Sequence, residues 1–207
     1  IALGVVGTHE PLLRKRLMGV AILWLVASAF TTFLSAGVYA SEDTLAMAWA
    51  AKQPESVRAQ SMLAGRFYQH GQMTQALVTV ESALDKHPDD AGLAENRVYL
   101  KCVRGDLTDL DMQALTTLLR TAPFNRGAFT NMETLRLLSN ARRCAALNTQ
   151  TWQLLVHALL ANSHYSDGVA SGFLHYQLHE AAVTRGDLGD AIRQLDAERQ
   201  LGAQRLL

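Results

Sequence analysis

Pro54, Pro88 and Pro123 recur at intervals of 34 and 35 residues, and Gly71 and Gly105 also stand 34 apart. Proline cannot continue a helix, and glycine readily closes one by taking a left-handed conformation. The period therefore describes helical hairpins: a helix, a glycine turn, a second helix, a proline stop. A single hairpin of this size cannot cover its own apolar stripe, so successive hairpins must stack on one another. Only 4 prolines and 14 glycines in 207 residues exclude a collagen-like or low-complexity chain. The expected fold class is all-α.

The first unit fits one repeat pattern position by position. Leu63 and Ala64 form a Leu–small pair on the first helix, Phe67 takes the aromatic position and Gly71 the turn. Ala76 is the small residue where the second helix meets the first; Val80, Ala83 and Leu84 continue its stripe, and Pro88 closes it. In these residues the chain resembles the tetratricopeptide repeat family, with Gln60 where that pattern has its early Trp. The resemblance implies a right-handed α-solenoid over residues 55–207, in units 55–89, 90–123, a degenerate 124–166, and 167–201.

In the second unit Gly105 is in place, Leu110 takes the position of the small Ala, Val98 that of the other small residue, and Pro123 is one residue late. Helices are expected near 91–103 and 108–121. In the degenerate unit, Met132, Leu135 and Leu138, then Trp152, Leu155, Val156 and Leu159, keep helical spacing around a longer connection at 140–148. The last unit repeats the first through Leu178, Ala182, Gly186, Ala191 and Leu195. Arg-Gly-Asp occurs at 104–106 and 185–187; it reads as the hairpin link, with Asp capping the second helix, rather than as an adhesion signal. Asp89, Asp90, Asp106, Asp109 and Asp111 read as helix starts.

Ahead of the repeats, residues 17–40 contain no charge. As a helix they extend about 36 Å, enough to cross a hydrocarbon layer of about 30 Å. Ser28, Thr31, Thr32 and Ser35 can bond back to their own helix carbonyls, and Tyr39 falls at the far boundary. Arg14, Lys15 and Arg16 precede the segment, whereas Ser41, Glu42 and Asp43 follow it. The positive flank stays cytoplasmic, so the repeats are expected outside, in a bacterial envelope periplasm. A cleavable leader is the rival: Val38-Tyr39-Ala40 fits a cleavage site, but the apolar run exceeds a leader's usual length. Both alternatives export the repeats. Residues 1–7, all apolar or Gly, read as the end of a preceding membrane helix, 8–16 as a short basic loop, and 41–54 as a connecting helix carrying Leu45, Ala46 and Trp49 on one face.

No phosphate loop, nucleophile elbow or paired catalytic carboxylates occur, and no cofactor is implied. His175 and His179, followed by Glu180, share a helix face, but Tyr176 stands where a zinc protease carries its Glu, and no metal site is assigned. Cys102 and Cys144 are the only cysteines; in an exported domain they can form a disulfide between the second unit and the degenerate pair, or remain as two buried thiols. The whole chain has zero formal charge, and beyond residue 40 the balance is −2, which disfavours nucleic acid and anionic membrane surfaces as partners.

The family resemblance implies a protein or peptide partner in the groove formed by the first helices of successive units. In the register above, that groove carries Arg58, Ser61, Gly65 and Tyr68, then Glu95 and Tyr99, then Phe173, Tyr176 and Glu180. The Lys/Asn set that clamps a C-terminal carboxylate is not visible. Trp49, followed by Pro54-Glu55-Ser56-Val57-Arg58-Ala59, is also similar to the junction in bacterial polytopic membrane proteins, glycosyltransferase-like or O-antigen ligase-like, that end in such repeats. That resemblance implies a second function, as the end of an envelope glycan-transfer enzyme with its catalytic part upstream of residue 1.

Overall fold

The computed structural model describes residues 11–39, 41–166 and 168–203, and among them it is all-α, with no strand. The chain divides into two compact units, 1–52 and 53–207. The first holds α1 (Pro11–Tyr39) and α2 (Glu42–Lys52). The second holds α3 (Val57–Gln69), α4 (Met73–Lys86), α5 (Ala91–Arg104), α6 (Asp109–Leu119), α7 (Arg126–Asn140), α8 (Thr149–Leu160), a short 3-10 turn (Ser163–Tyr165), α9 (Gly168–Arg185) and α10 (Leu188–Ala203).

Helix α1 contains a stretch, Lys15–Leu34, that is exposed and is long and apolar enough to cross a membrane. Thr31 and Thr32 both donate to the Ser28 carbonyl, at 2.9 and 2.8 Å, which satisfies their hydroxyls within the helix. The helix begins at Pro11, so residues 11–16 are helical and not part of a loop over 8–16; proline at a first helical position needs no donor partner and has its φ preset. The expectation for residues 1–7 lies outside the described residues. Ser41 caps α2, its hydroxyl accepting from the Thr44 N–H at 3.1 Å, with Glu42 and Asp43 in the first turn.

In the second unit, consecutive helices pack as hairpins, α3 on α4, α5 on α6, α7 on α8 and α9 on α10, and each hairpin is covered by the next. Helix α5 touches α3, α4, α6 and α7; α6 touches α8; α9 touches α7 and α8. One continuous apolar core runs from Ala64 to Ala181. Ala76, Val80, Val98, Leu115, Met132, Leu155 and Leu178 are fully or almost fully buried in it, as their periodic positions require.

The hairpin links share a single construction. Gly71, Gly105 and Gly186 have φ of 72°, 88° and 76°, and after each the following N–H reaches back five residues: Gln72 to the Phe67 carbonyl, Asp106 to Lys101, Asp187 to Ala182. The degenerate hairpin keeps this turn. Arg142 holds φ at 51°, and the Arg143 N–H reaches the Leu138 carbonyl. The same left-handed stop therefore ends α7 without a glycine, and the extra length lies after it, in residues 143–148.

The helix starts also repeat. Ser56, Asp90 and Asn125 each stand two residues after a proline, and each caps the following helix, accepting from Ala59 N–H at 3.3 Å, Leu93 N–H at 2.8 Å and Gly127 N–H at 2.8 Å. The linking Asp residues behave differently from one another. Asp187 caps α10 through the Asp190 N–H at 3.0 Å, as expected. Asp106 does not cap α6 but pairs with Arg104; Thr108 caps instead, in a reciprocal box with Asp111. That link is two residues longer than the one after Gly71, which shifts the register of α6. Leu110, placed by the spacing at the close-approach position, is consequently 74% exposed, and Met112, Leu115 and Leu119 form the stripe.

Where the periodic pattern fades, buried polar pins replace it. The Trp152 indole donates to the Met132 carbonyl at 2.9 Å. The Asn162 amide donates to the Leu119 and Ala122 carbonyls at 2.8 and 2.9 Å. The Tyr165 hydroxyl accepts from Asn125 N–H at 2.9 Å and donates to the Pro123 carbonyl at 3.2 Å. The Trp152 bond ties α8 to α7, and the Asn162 and Tyr165 bonds fix the 3-10 turn against the end of α6 and the connection after it.

A non-glycine residue in the left-handed region costs roughly 1–2 kcal/mol, of which the extra unfolded-state entropy of glycine returns about 0.5–1 kcal/mol. Arg142→Gly should therefore stabilise the fold by up to about 1 kcal/mol, read as a raised urea midpoint. An unchanged or lowered midpoint would show that Arg142 makes a compensating contact.

Candidate groove on the α3, α5 and α7 face

Ser61, Gly65 and Tyr68 fall on one face of α3 because they are spaced by three and four residues. Asn96 and Tyr99 on α5 face them across a recess of about 100 Å³, floored by Ala64, Val80 and Leu100. The small residues create this space: a Cβ at position 65 would meet no heavy atom within 4 Å. The wall is fixed by Tyr68 and Tyr99, whose rings meet edge to face at 5.4 Å and whose hydroxyls are 2.7 Å apart, Tyr99 donating to Tyr68. Burial and the Tyr68 hydroxyl push the Tyr99 phenol well above its ordinary range, against the pull of the nearby Arg143 cation.

Asn96 and Tyr99 also line a second recess of about 110 Å³, completed by Glu95 on α5 and by Asn131, Thr134 and Leu135 on α7. The two recesses therefore adjoin along α5. Glu95 is not a surface contact of the groove, contrary to the periodic expectation: it is fully buried, at the floor of the second recess. The expectation failed because α7 packs directly over this turn of α5.

The surroundings of Glu95 are unusual. Neither carboxyl oxygen has a hydrogen-bond partner. Donors close by are engaged elsewhere. The Asn125 amide donates to both oxygens of Asp90, at 3.1 and 3.0 Å. The Asn131 amide donates to the Gly92 carbonyl at 3.2 Å, and the Tyr165 hydroxyl to Pro123. Burial pushes the Glu95 carboxyl well above the ordinary carboxylate range, the nearby Asn131 amide opposes this, and the Asp90 charge adds to the rise.

Cys102 and Cys144 are joined by a disulfide, with Cα atoms 5.4 Å apart. It ties the connection after Arg142 to the end of α5, one turn beyond Tyr99. Lys101 on the same turn pairs with Asp111 at 2.7 Å and so holds α6 to α5.

Of the other groove positions, Arg58 is exposed on α3, and Tyr176 and Glu180 lie on α9, outside both recesses. Tyr176 is surface-exposed and stacks loosely near His179, with ring centres 6.4 Å apart. His175 and His179 direct Nδ1 at Gln194 and at the Ala191 carbonyl, at 2.8 and 2.9 Å, and thereby bind α9 to α10. Among the described residues no group of three or more His, Cys, Asp and Glu is placed to hold a metal ion. Asn96, Asn131 and Thr134 were not singled out by the sequence. The signal was present, since Asn96 and Asn131 stand 35 apart, one repeat period.

The chain matches no known family, no curated protein and no solved structure.

Glu95 holds its proton more tightly in the folded state than in the unfolded chain. In the unfolded chain a glutamate titrates near about 4.3. Below that pH both states are protonated, and burial of the neutral acid is fully tolerated. As pH rises, the folded state must hold a proton that the unfolded state releases, so stability falls until the folded carboxyl itself ionises. Glu95→Gln should therefore melt at a higher temperature than the unmodified protein at neutral pH, and the gap should close near about pH 4. A gap independent of pH would contradict the assigned environment.

Proposed function

We propose that this chain is a membrane-tethered, extracytoplasmic interaction module of the bacterial envelope. In this reading α1 spans the inner membrane with its basic end in the cytoplasm, and α3–α10 form a right-handed α-solenoid of tetratricopeptide type that takes a protein or peptide partner on the face made by α3, α5 and α7. The observation that carries it is the pair of adjoining recesses between those helices, walled by Tyr68 and Tyr99. Tyrosine combines a large apolar area with a polar tip and is a common anchor in protein interfaces. The outward apolar surface of α1 and the charge asymmetry of its flanks support the tether.

Two measurements test it. Asp85 is exposed near the end of α4. A cysteine placed there (Asp85→Cys) should react with a membrane-impermeant maleimide in intact spheroplasts; labelling only after lysis would reject the proposed topology. For the groove, the full chain should capture its partner from envelope extract. Gly65→Trp, which fills the first recess, and Tyr68→Ala or Tyr99→Ala should each weaken capture about 30-fold or more, the range of interface hot spots. Undiminished capture by all three would place the partner elsewhere.

A further inference from the structure

We propose that the recess over Glu95, between α5 and α7, is a binding site for a primary ammonium group carried by the partner that lies along this face. The inference rests on the groove reading and names the chemistry of one anchor in it.

The recess offers acceptors. Glu95 contributes two carboxyl oxygens with no partner. Asn131 lines the recess and donates one amide hydrogen to the Gly92 carbonyl at 3.2 Å. Thr134 donates its hydroxyl hydrogen to the Thr130 carbonyl at 3.3 Å and keeps its lone pairs. An ammonium carries three donors and no acceptor, which matches this set. An anion or a carboxylate would face oxygen atoms and the negative charge of Asp90. The volume, about 110 Å³, equals roughly three to four water molecules at about 30 Å³ each. It accommodates an ammonium head with the end of its carbon stem, and Tyr99 and Leu135 supply the apolar wall for that stem.

Electrostatics act in the same direction. An uncompensated carboxylate in a buried site is costly, and the cost is removed by an opposite charge brought into hydrogen-bond range. Asp90 at the start of α5 is the charged group acting on Glu95, Glu95 in turn raises the proton affinity of Tyr165, and Arg143 acts at Tyr99. No cationic group among these neutralises Glu95, so it binds an ammonium by releasing its own proton to solvent.

The test uses the full chain in an uncharged detergent, with glutamate labelled at the side-chain carboxyl carbon, and butylammonium chloride as the probe. Saturable movement of the Glu95 resonance to its ionised position is expected with butylammonium but not with 1-butanol, its uncharged counterpart. Binding followed at the Asn96 and Asn131 amides should weaken about tenfold or more in Glu95→Gln, which keeps the shape of the neutral acid. An acetylated, amidated Ala-Lys-Ala peptide and an unblocked Ala-Ala-Ala amide distinguish a lysine side chain from a chain terminus as the source. Equal response to butanol, retained affinity in Glu95→Gln, or no saturable shift overturns the site. If Gly65→Trp still abolishes partner capture in that case, the groove stands without this anchor. If butylammonium binds but Gly65→Trp captures normally, the ammonium site stands and the groove reading falls.

Discussion

The second unit depends on how the start of one hairpin is bonded to the start of the next. Asp90 serves two helices at once: it caps α5 through the Leu93 N–H and accepts both contacts from the Asn125 amide, while the Asn125 oxygen caps α7. The first turn of a helix exposes donors without internal partners, and burying such an end without caps is costly. Here two partly buried ends satisfy each other, and the satisfaction requires α5 and α7 to lie at one separation. Gly92 marks how close the arrangement is. A Cβ at that position would come within 3.1 Å of the Asn125 amide nitrogen. The Tyr165 hydroxyl completes the junction by holding Asn125 N–H, so the 3-10 turn after α8 also reports to the same point.

That junction explains the state of Glu95. In a looser arrangement the Asn125 or Asn131 amide could turn to the carboxyl. With Asn125 engaged by Asp90 and Asn131 drawn toward the Gly92 carbonyl, the carboxyl one turn into α5 gains no well-formed hydrogen bond, and removing it from water raises its proton affinity. A polar group buried without a partner lowers stability, so the groove floor carries a cost that a purely structural core would not. The rest of the groove is rigid by comparison. Tyr68 and Tyr99 bond to each other, and the disulfide between Cys102 and Cys144 closes a loop with a sequence separation of 42. In the chain-entropy view such a loop restricts the unfolded state by about 4 kcal/mol.

Much of this architecture was legible in residue types at fixed intervals. Gly71, Gly105 and Gly186 all hold left-handed turns, because that conformation is cheap for glycine alone. The stripes through Val80, Met132 and Leu155 are buried because helical periodicity leaves them no other face. What the interval could not show was a change of register inside it. Two residues inserted after Gly105 moved the cap from Asp106 to Thr108 and turned Leu110 outward, although the overall period to Pro123 altered by only one. Arg142 concealed a turn of the same kind behind a residue that rarely adopts it. The pins from Trp152, Asn162 and Tyr165 reach 20 to 43 residues along the chain, and no local pattern encodes such a distance.

The groove was legible as a face but not in depth. Periodicity places Ser61, Gly65 and Tyr68 on one side of α3, and Glu95 and Tyr99 on one side of α5, and the structure keeps both assignments. Depth is set by the neighbour. Tyr99 stays at the rim because its partner across the recess is α3, where Gly65 and Ala64 leave room. Glu95, one turn earlier, meets α7, whose Asn131, Thr134 and Leu135 close over it. One helix face thus carries an aromatic wall and a hidden acid within a single turn. The difference between them arises from which helix stands opposite, a property that no single repeat contains.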